Sequence, residues 1–206
     1  MQILLTAFDP FGGEETNAVL EVSRLIGNTI DGADIVKLVV PTVFYKASDN
    51  IIEVARRIRP DAIVMLGQAK GRGAITPERI AINIMDASIE DNCKNRPVDT
   101  RIIPEAPDGY FSTLPLKDMV DAIKGVGIAA AVSNTAGTFV CNQTMFSVLD
   151  FAARELEGSP VGFIHLPCTP AQADEKTPSM TTEDAVRGIE AAIRSIIKNI
   201  QYGEKQ

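Results

Sequence analysis

Short apolar segments alternate with longer amphipathic segments along the 206 residues of the chain. Five of the apolar segments carry few charges, and such nearly continuous apolar runs are typical of strands that are buried on both faces of a sheet. These predicted strands cover residues 3–7, 35–40, 62–66, 129–133 and 161–166.

The longer segments have the composition and spacing of helices, and Pro or Gly residues separate several of them from the following strand. The last one begins with Thr181-Thr182-Glu183-Asp184, which resembles a capping box. Regular alternation of strands and helices predicts one α/β domain over residues 1–206, a sandwich with a mainly parallel sheet. The predicted helices cover residues 18–26, 45–58, 116–124, 139–156 and 182–199.

Residues 79–85 have a different pattern from the other strands. Ile80, Ile82 and Ile84 alternate with less apolar residues, which predicts a strand that buries its isoleucine face. The following residues, 86–110, form the longest irregular stretch, and long loops in compact domains are often functional.

Composition and charge limit the kinds of molecule that the protein is expected to bind. A formal net charge of −7 argues against nucleic acid, because phosphate binding requires a basic face. The N-terminus has no basic leader, and no apolar run approaches 18 residues, so we expect no signal peptide and no membrane span. Three cysteines without metal-ligand spacing are most simply explained by reduced thiols in a cytoplasmic protein.

Two residues at predicted element ends are candidates for nucleophilic chemistry. His165 is the only histidine and lies near the carboxyl end of the predicted strand 161–166, where α/β sheets gather their active groups. Cys141 falls in the first turn of a predicted helix with Thr138 as its N-cap, where backbone N–H groups favour a thiolate and could hold an oxyanion. Both residues could instead be ordinary packed side chains.

Glu78 precedes the strand predicted at residues 79–85. An isolated glutamate is usually a solvated charge, but a thiol, an imidazole and a carboxylate at loop or strand ends match a Cys–His–acid arrangement. The carboxylate would hold one imidazole nitrogen while the other nitrogen faces the sulfur.

Two glycine-containing loops have competing interpretations. The stretch from Phe8 to Gly13 could be a phosphate-binding turn, a pocket wall formed by Phe8 and Phe11, or a turn anchored to the core. Neither this stretch nor the one from Gly67 to Gly73 contains a nucleotide-binding fingerprint, which favours a flexible rim for the second loop.

The motifs of the chain are similar to those of the pyroglutamyl peptidase I family, also called pyrrolidone-carboxylate peptidases. The Thr-Pro-Glu-Arg block at 76–79 and the Ala-Gly-Thr-Phe-Val-Cys-Asn block at 136–142 are the most specific, and the matches cover nearly the whole chain. Further matching stretches lie at residues 5–13, 40–46, 67–69, 133–135 and 162–167.

The resemblance implies a cysteine peptidase that removes N-terminal pyroglutamyl residues from peptides. It places the family's catalytic residues on Cys141, His165 and Glu78, and its substrate-binding residues on Phe8, Phe11 and Gln68. It also implies a three-layer α/β/α sandwich that assembles as a homotetramer and uses no metal or organic cofactor.

The chain departs from the family pattern at two positions near these motifs. Ser88 stands where the family commonly has an arginine, and Cys168 stands where an aromatic residue often follows the histidine. Two other functions stay open: hydrolysis of a different small cyclic or acyl amide by the same thiol, and non-catalytic binding of phosphate or nucleosides.

Overall fold

A six-stranded sheet forms the centre of the computed structural model, which describes residues 1–203. The strands are β1 (Gln2–Phe8), β2 (Thr29–Ile30), β3 (Ala33–Val40), β4 (Ala62–Gln68), β5 (Thr76–Pro77) and β8 (Val161–Leu166), and β6 (Ile80–Ile82) and β7 (Gly109–Phe111) form a separate ribbon. The helices are α1 (Ala18–Leu25), α2 (Lys46–Ile58), α3 (Leu116–Gly125), α4 (Val140–Glu155) and α5 (Thr182–Gly203), and a 3-10 turn covers Pro170–Gln172.

The sheet has the order β2-β3-β1-β4-β8-β5. Its four central strands β3, β1, β4 and β8 are parallel, and the short strands β2 and β5 pair antiparallel at the two edges. The carboxyl ends of the parallel strands therefore meet at one edge of the sheet, and this edge carries the candidate residues.

The two faces of the sheet are covered by different helices. One apolar core packs α1, α3 and α5 against side chains such as Leu5, Val64 and Ile164. The other packs α2 and α4 against side chains such as Met65 and Phe163. The predicted α/β/α sandwich with a mainly parallel sheet is confirmed.

The strand predicted at residues 129–133 does not form a continuous ladder. The segment is extended and pairs only through two isolated parallel bridges, Ile75 with Ala130 and Glu78 with Ser133. Pro77 lies between the two bridges and has no N–H to donate, which interrupts the ladder. The segment nevertheless holds Glu78 in place, because the backbone N–H of Ser133 donates to the carbonyl of Pro77 at 2.9 Å.

The face assigned to residues 79–85 is wrong. Ala81 and Asn83 are buried, whereas Ile82 is 36% exposed. The side-chain amide of Asn83 explains the reversal, because it donates to the carbonyl of Ile103 at 2.7 Å and accepts from the N–H of Ile102 at 2.9 Å. An inward asparagine therefore organises the backbone of the long 86–110 loop, and the isoleucines turn outward.

No helix within residues 1–203 has the length and apolar character needed to span a membrane.

Candidate active site

Three predicted site residues lie where the central strands end. Phe8 is the last residue of β1, Gln68 the last of β4, and His165 the fifth of the six residues of β8. Because these strands are parallel neighbours, their carboxyl ends bring the three residues to one edge of the sheet.

Cys141 lies in the first turn of α4, as predicted. The N-cap of this helix is Phe139 rather than Thr138, and no side chain caps the first turn. Thr138 instead donates its hydroxyl to the carbonyl of Asp86 at 2.7 Å, which ties the start of the helix to the 86–110 loop. The first-turn N–H groups have no partner within the helix, and the backbone N–H of Cys141 acts on its own thiol.

Gly67 of β4 makes room for the thiol. A methyl group at this position would lie 3.1 Å from Sγ of Cys141 and 2.6 Å from a ring carbon of Phe163. Gly67 is paired in register with His165 on the adjacent strand β8. The thiol therefore lies over the strand position next to the histidine. The described residues show no hydrogen bond between the thiol and His165, and catalytic contacts often tighten only when substrate binds.

Glu78 and His165 are in direct contact inside the protein. Oε1 of Glu78 lies 2.7 Å from Nδ1 of His165, and the exposed fractions of the two side chains are 0% and 5%. Backbone pairing fixes the two residues, because Thr76 on β5 pairs with His165 and the N–H of Glu78 donates to the carbonyl of Phe163 at 2.8 Å. A carboxylate accepts hydrogen bonds only, so Nδ1 carries the proton and Nε2 is left free.

Burial and direct contacts together determine the protonation states of Glu78 and His165. Burial lowers the pKa of His165, and the hydrogen bond and charge of Glu78 only partly oppose it. Burial also raises the pKa of Glu78, but the contacts with His165, Ser133 and Arg72 together outweigh it, so the pKa of Glu78 lies below its ordinary value. The glutamate is therefore ionised and the imidazole neutral near pH 7.

The helix N-terminus lowers the pKa of Cys141 as predicted, but burial outweighs this effect, so the expected thiolate does not form in the substrate-free protein. Burial raises the pKa of this thiol to about 12, and the charge of Glu78 adds to the effect. The charge of Arg72 and a backbone N–H act in the opposite direction but are smaller. The resting site thus holds a neutral thiol beside a neutral imidazole.

Aromatic side chains line the region next to the thiol. Phe11 and Phe139 are half-buried, and their ring centroids lie 6.2 Å apart. Phe139 also meets Phe44 edge-on at 5.3 Å. Phe8 is only 2% exposed and packs against Phe163, so it backs the region from the core. Phe11 and Phe139 are thus the two rings with surface to offer a flat ligand.

Gln68 has one end of its side-chain amide fixed. Its Oε1 accepts a hydrogen bond from the backbone N–H of Ala18 at 2.8 Å, which satisfies a free donor in the first turn of α1. With the oxygen engaged in this way, the Nε2 group is the end that is left to donate. Gln68 can therefore offer a ligand a hydrogen-bond donor.

The sequence analysis missed four residues that shape the site: Phe139, Arg72, Asn142 and Gln143. Asn142 accepts from the N–H of Ile82 at 3.0 Å and donates to its carbonyl at 2.9 Å, so it clamps β6 to the helix that carries Cys141. Gln143 accepts from the N–H of Tyr45 at 2.9 Å. Both side chains are fully buried. The sequence signal that could have revealed Asn142 and Gln143 is the pair of amide residues directly after the cysteine, within a predicted helix.

The two departures from the family pattern lie in different environments. Ser88 is exposed in the 86–110 loop, two residues after Asp86. Cys168 is fully buried two residues beyond β8, and its thiol lies 3.6 Å from the carbonyl oxygen of Pro178. Cys168 therefore has a structural partner of its own.

Comparison with known proteins identifies relatives over the full length of the chain. The sequence profile of the pyroglutamyl peptidase family matches residues 1–199. A pyrrolidone-carboxylate peptidase of Thermoanaerobacter sp. strain X514 is 49% identical over 200 residues, covering 96% of this chain and 98% of that protein. One from Clostridium perfringens strain 13 is 47% identical over 201 residues, covering 97% and 94%.

Solved structures show the same similarity. The crystal structure of pyroglutamyl peptidase I from Bacillus amyloliquefaciens has a TM-score of 0.91 at 43% identity, covering 95% of this chain and 94% of that chain. The pyrrolidone carboxyl peptidase from Thermococcus litoralis has a TM-score of 0.94 at 33% identity, covering 98% and 96%.

Proposed function

Because the chain belongs to the pyroglutamyl peptidase family of cysteine peptidases, we propose that it hydrolyses the amide bond after an N-terminal pyroglutamyl residue. Cys141 is the nucleophile, His165 transfers the protons, and Glu78 orients His165. The observation that carries this assignment is the buried 2.7 Å contact between Glu78 and His165, next to the strand position over which the thiol lies.

The first half of the reaction starts from the neutral pair. Nε2 of His165 takes the proton from Sγ of Cys141 as the sulfur attacks the carbonyl carbon that joins pyroglutamate to the next residue. The negative charge that develops on the carbonyl oxygen meets the uncapped N–H groups at the start of α4. His165 then gives its proton to the leaving amine, and a thioester remains on Cys141.

The second half of the reaction releases the acid. Nε2 of His165 takes a proton from a water molecule as its oxygen attacks the thioester carbonyl. The carbon–sulfur bond breaks, Nε2 of His165 returns its proton to the sulfur of Cys141, and free pyroglutamate leaves. Glu78 stabilises the imidazolium that forms in both halves.

The aromatic surface beside the thiol suits the pyroglutamyl ring. This ring is flat and carries no charged amine, so an apolar slot with few polar partners can bind it. Phe11 and Phe139 form the walls of the slot, and Phe8 supports it from the core. Nε2 of Gln68 donates to the lactam carbonyl, because the oxygen of the same amide is held by Ala18.

Selectivity among small amide substrates distinguishes pyroglutamyl peptidase activity from hydrolysis of a different amide by the same thiol. Proline has a similar ring but lacks the lactam carbonyl, and a site built for a hydrogen bond can reject such an analogue by about 10⁴-fold. We expect chromogenic pyroglutamyl amides to be cleaved at least 10³-fold faster, as kcat/KM, than prolyl and acetyl amides. In Gln68→Ala the pyroglutamyl rate should fall most. Equal rates on the three amides would contradict the proposed substrate.

A further inference from the structure

Arg72 lies on the solvent side of the Glu78–His165 pair. Its Nη1 donates to Oε1 of Glu78 at 2.5 Å and to the hydroxyl of Thr76 at 2.6 Å. Its Nη2 donates to the carbonyl of Thr135 at 3.0 Å. The arginine side chain is 27% exposed, whereas that of Glu78 is fully buried. Arg72 is therefore partly exposed to solvent and contacts the buried pair directly.

One oxygen atom serves both partners of the glutamate. Oε1 of Glu78 contacts Nδ1 of His165 and Nη1 of Arg72, and Oε2 has no hydrogen-bond partner among residues 1–203. A buried carboxylate needs compensation for the loss of water, and contacts with His165, Ser133 and Arg72 provide it here. With a neutral imidazole, Arg72 is the one of the three that carries a positive charge. The hydrogen bond to His165 is kept, because the arginine binds beside the imidazole rather than in its place.

The same side chain connects three segments of the site. Arg72 follows Gly71, whose φ of 92° makes the turn after β4. It binds Thr76 on β5 and the carbonyl of Thr135 in the loop that leads to α4. The arginine therefore links the segment of Glu78 to the helix that carries Cys141.

The charge of Arg72 has a consequence for proton transfer. The carboxylate of Glu78 alone favours protons on both His165 and Cys141, since each would sit beside an uncompensated anion. A positive charge at Arg72 opposes that effect on both groups. The nearby Arg79 does not share this role, because its guanidinium turns to Asn134 at 2.7 Å.

We propose that Arg72 is a positioning residue of this hydrolysis: it neutralises Glu78 without breaking the bond to His165, and in this way it acts together with burial to keep the imidazole unprotonated and able to accept the thiol proton. The assignment rests on the proposed function for its role in turnover. Its effect on His165 can be measured without substrate.

The single histidine makes a direct test possible, because one imidazole signal in the NMR spectrum belongs to His165. The pKa of His165 is measured by NMR titration in the wild type, Arg72→Gln, Arg72→Lys and the matched control Arg79→Gln. We expect a higher pKa of His165 in Arg72→Gln and values near the wild type in the other two variants. If Arg72→Gln does not fold, Arg72→Met removes the same charge and keeps an apolar stem.

The pH dependence of kcat/KM on a pyroglutamyl amide gives the second readout. Loss of the positive charge raises the proton affinity of both His165 and Cys141, so both limbs of the profile should move to higher pH in Arg72→Gln. We expect kcat/KM at pH 7 to fall roughly 10- to 100-fold, less than the full contribution of general acid–base catalysis. Arg72→Lys should recover part of the loss, because it keeps the charge but not the forked geometry.

The outcomes separate this proposal from the proposed function. An unchanged pKa of His165 in Arg72→Gln overturns the role of Arg72, whatever the activity. Lower activity with unmoved limbs and no recovery in Arg72→Lys also overturns it, because a purely structural residue behaves in that way. Absence of pyroglutamyl cleavage in the wild type contradicts the proposed function, while the NMR titration still decides whether Arg72 tunes His165.

Discussion

Nδ1 of His165 lies 2.7 Å from Oε1 of Glu78 in a pair that is almost wholly removed from solvent. Residues 87 positions apart meet here because β5 pairs antiparallel with β8, which sets Thr76 opposite His165. The contact fixes the tautomer of the imidazole, and with it the nitrogen that is free to face Cys141.

Glu78→Gln should lower kcat more than it changes KM, because the carboxylate stabilises the imidazolium that forms during the reaction. We expect a loss of roughly 10²- to 10⁴-fold in kcat. Glu78 raises the pKa of both His165 and Cys141, so its neutralisation should move both limbs of the kcat/KM profile to lower pH. Arg72→Gln should move them in the opposite direction. Unchanged kcat in Glu78→Gln would mean that the carboxylate has no part in the reaction.

Gly67→Ala should displace the thiol. The added methyl group would lie 3.1 Å from Sγ of Cys141 and 2.6 Å from Phe163, closer than a relaxed side chain allows. Overpacking of this kind costs about 1–3 kcal/mol of stability, so both Tm and kcat should fall. Gly125→Ala is a matched control, because nothing lies within 4 Å of a methyl group there. A Gly67→Ala enzyme with wild-type kcat would show that the close approach is unimportant for catalysis.

Phe11→Ala and Phe8→Ala should have different effects. Phe11 is half-buried beside Phe139, so its loss should raise KM by roughly 10-fold with little change in Tm. Phe8 is 2% exposed in the core, where a Phe→Ala substitution costs about 3–5 kcal/mol of stability. Steady-state kinetics together with thermal unfolding separate the two. Equal effects on KM and Tm in both variants would contradict the assignment of Phe11 to ligand contact and of Phe8 to the core.

Acidification should destabilise the fold in a way that depends on His165. Burial lowers the pKa of His165, so the unfolded chain takes up this proton first as the pH falls. The stabilisation is complete above the unfolded pKa of about 6.5 and is lost as the pH falls through the folded pKa. The pKa of Glu78 is also lowered, which adds a loss below the ordinary glutamate range of about 4.3.

Urea unfolding at pH 8 and pH 5.5 measures this dependence. We expect a lower unfolding free energy at pH 5.5 for the wild type, and a smaller difference in His165→Gln, which has no proton to gain. Exposed carboxylates titrate equally in both proteins, so the difference between the two reports the coupled His165–Glu78 pair. The same pH dependence in both proteins would show that His165 is not buried in its neutral form.

The sequence predicted the sheet and helices well because their signals are local. Apolar runs such as residues 161–166 form a strand with the predicted bounds, since burial on both faces leaves little choice of residue. The edge segments were harder to predict. Residues 129–133 pair only through bridges, and Asn83 reverses the expected face of β6 by bonding to a backbone about 20 residues away.

Properties of the site that depend on how deeply a side chain is buried could not be predicted from the sequence. The position of Cys141 in a helical first turn was predictable, but its raised pKa depends on burial against a core built from residues far away in the sequence. The contact of Arg72 with Glu78 likewise depends on the turn at Gly71. The pairing of β5 with β8 sets Glu78, and with it Arg72, beside His165. This pairing is a tertiary feature, and no local sequence pattern encodes it.

The role of Cys141 as the nucleophile of pyroglutamyl cleavage is tested by measuring the release of free pyroglutamate from a pyroglutamyl peptide. The proteins compared are the wild type, Cys141→Ala and the control Cys93→Ala. Cys93 is exposed and lies outside the site, so its variant should match the wild type. We expect that Cys141→Ala, folded with an unchanged circular dichroism spectrum, releases no pyroglutamate above background. Wild-type release by folded Cys141→Ala would contradict this role.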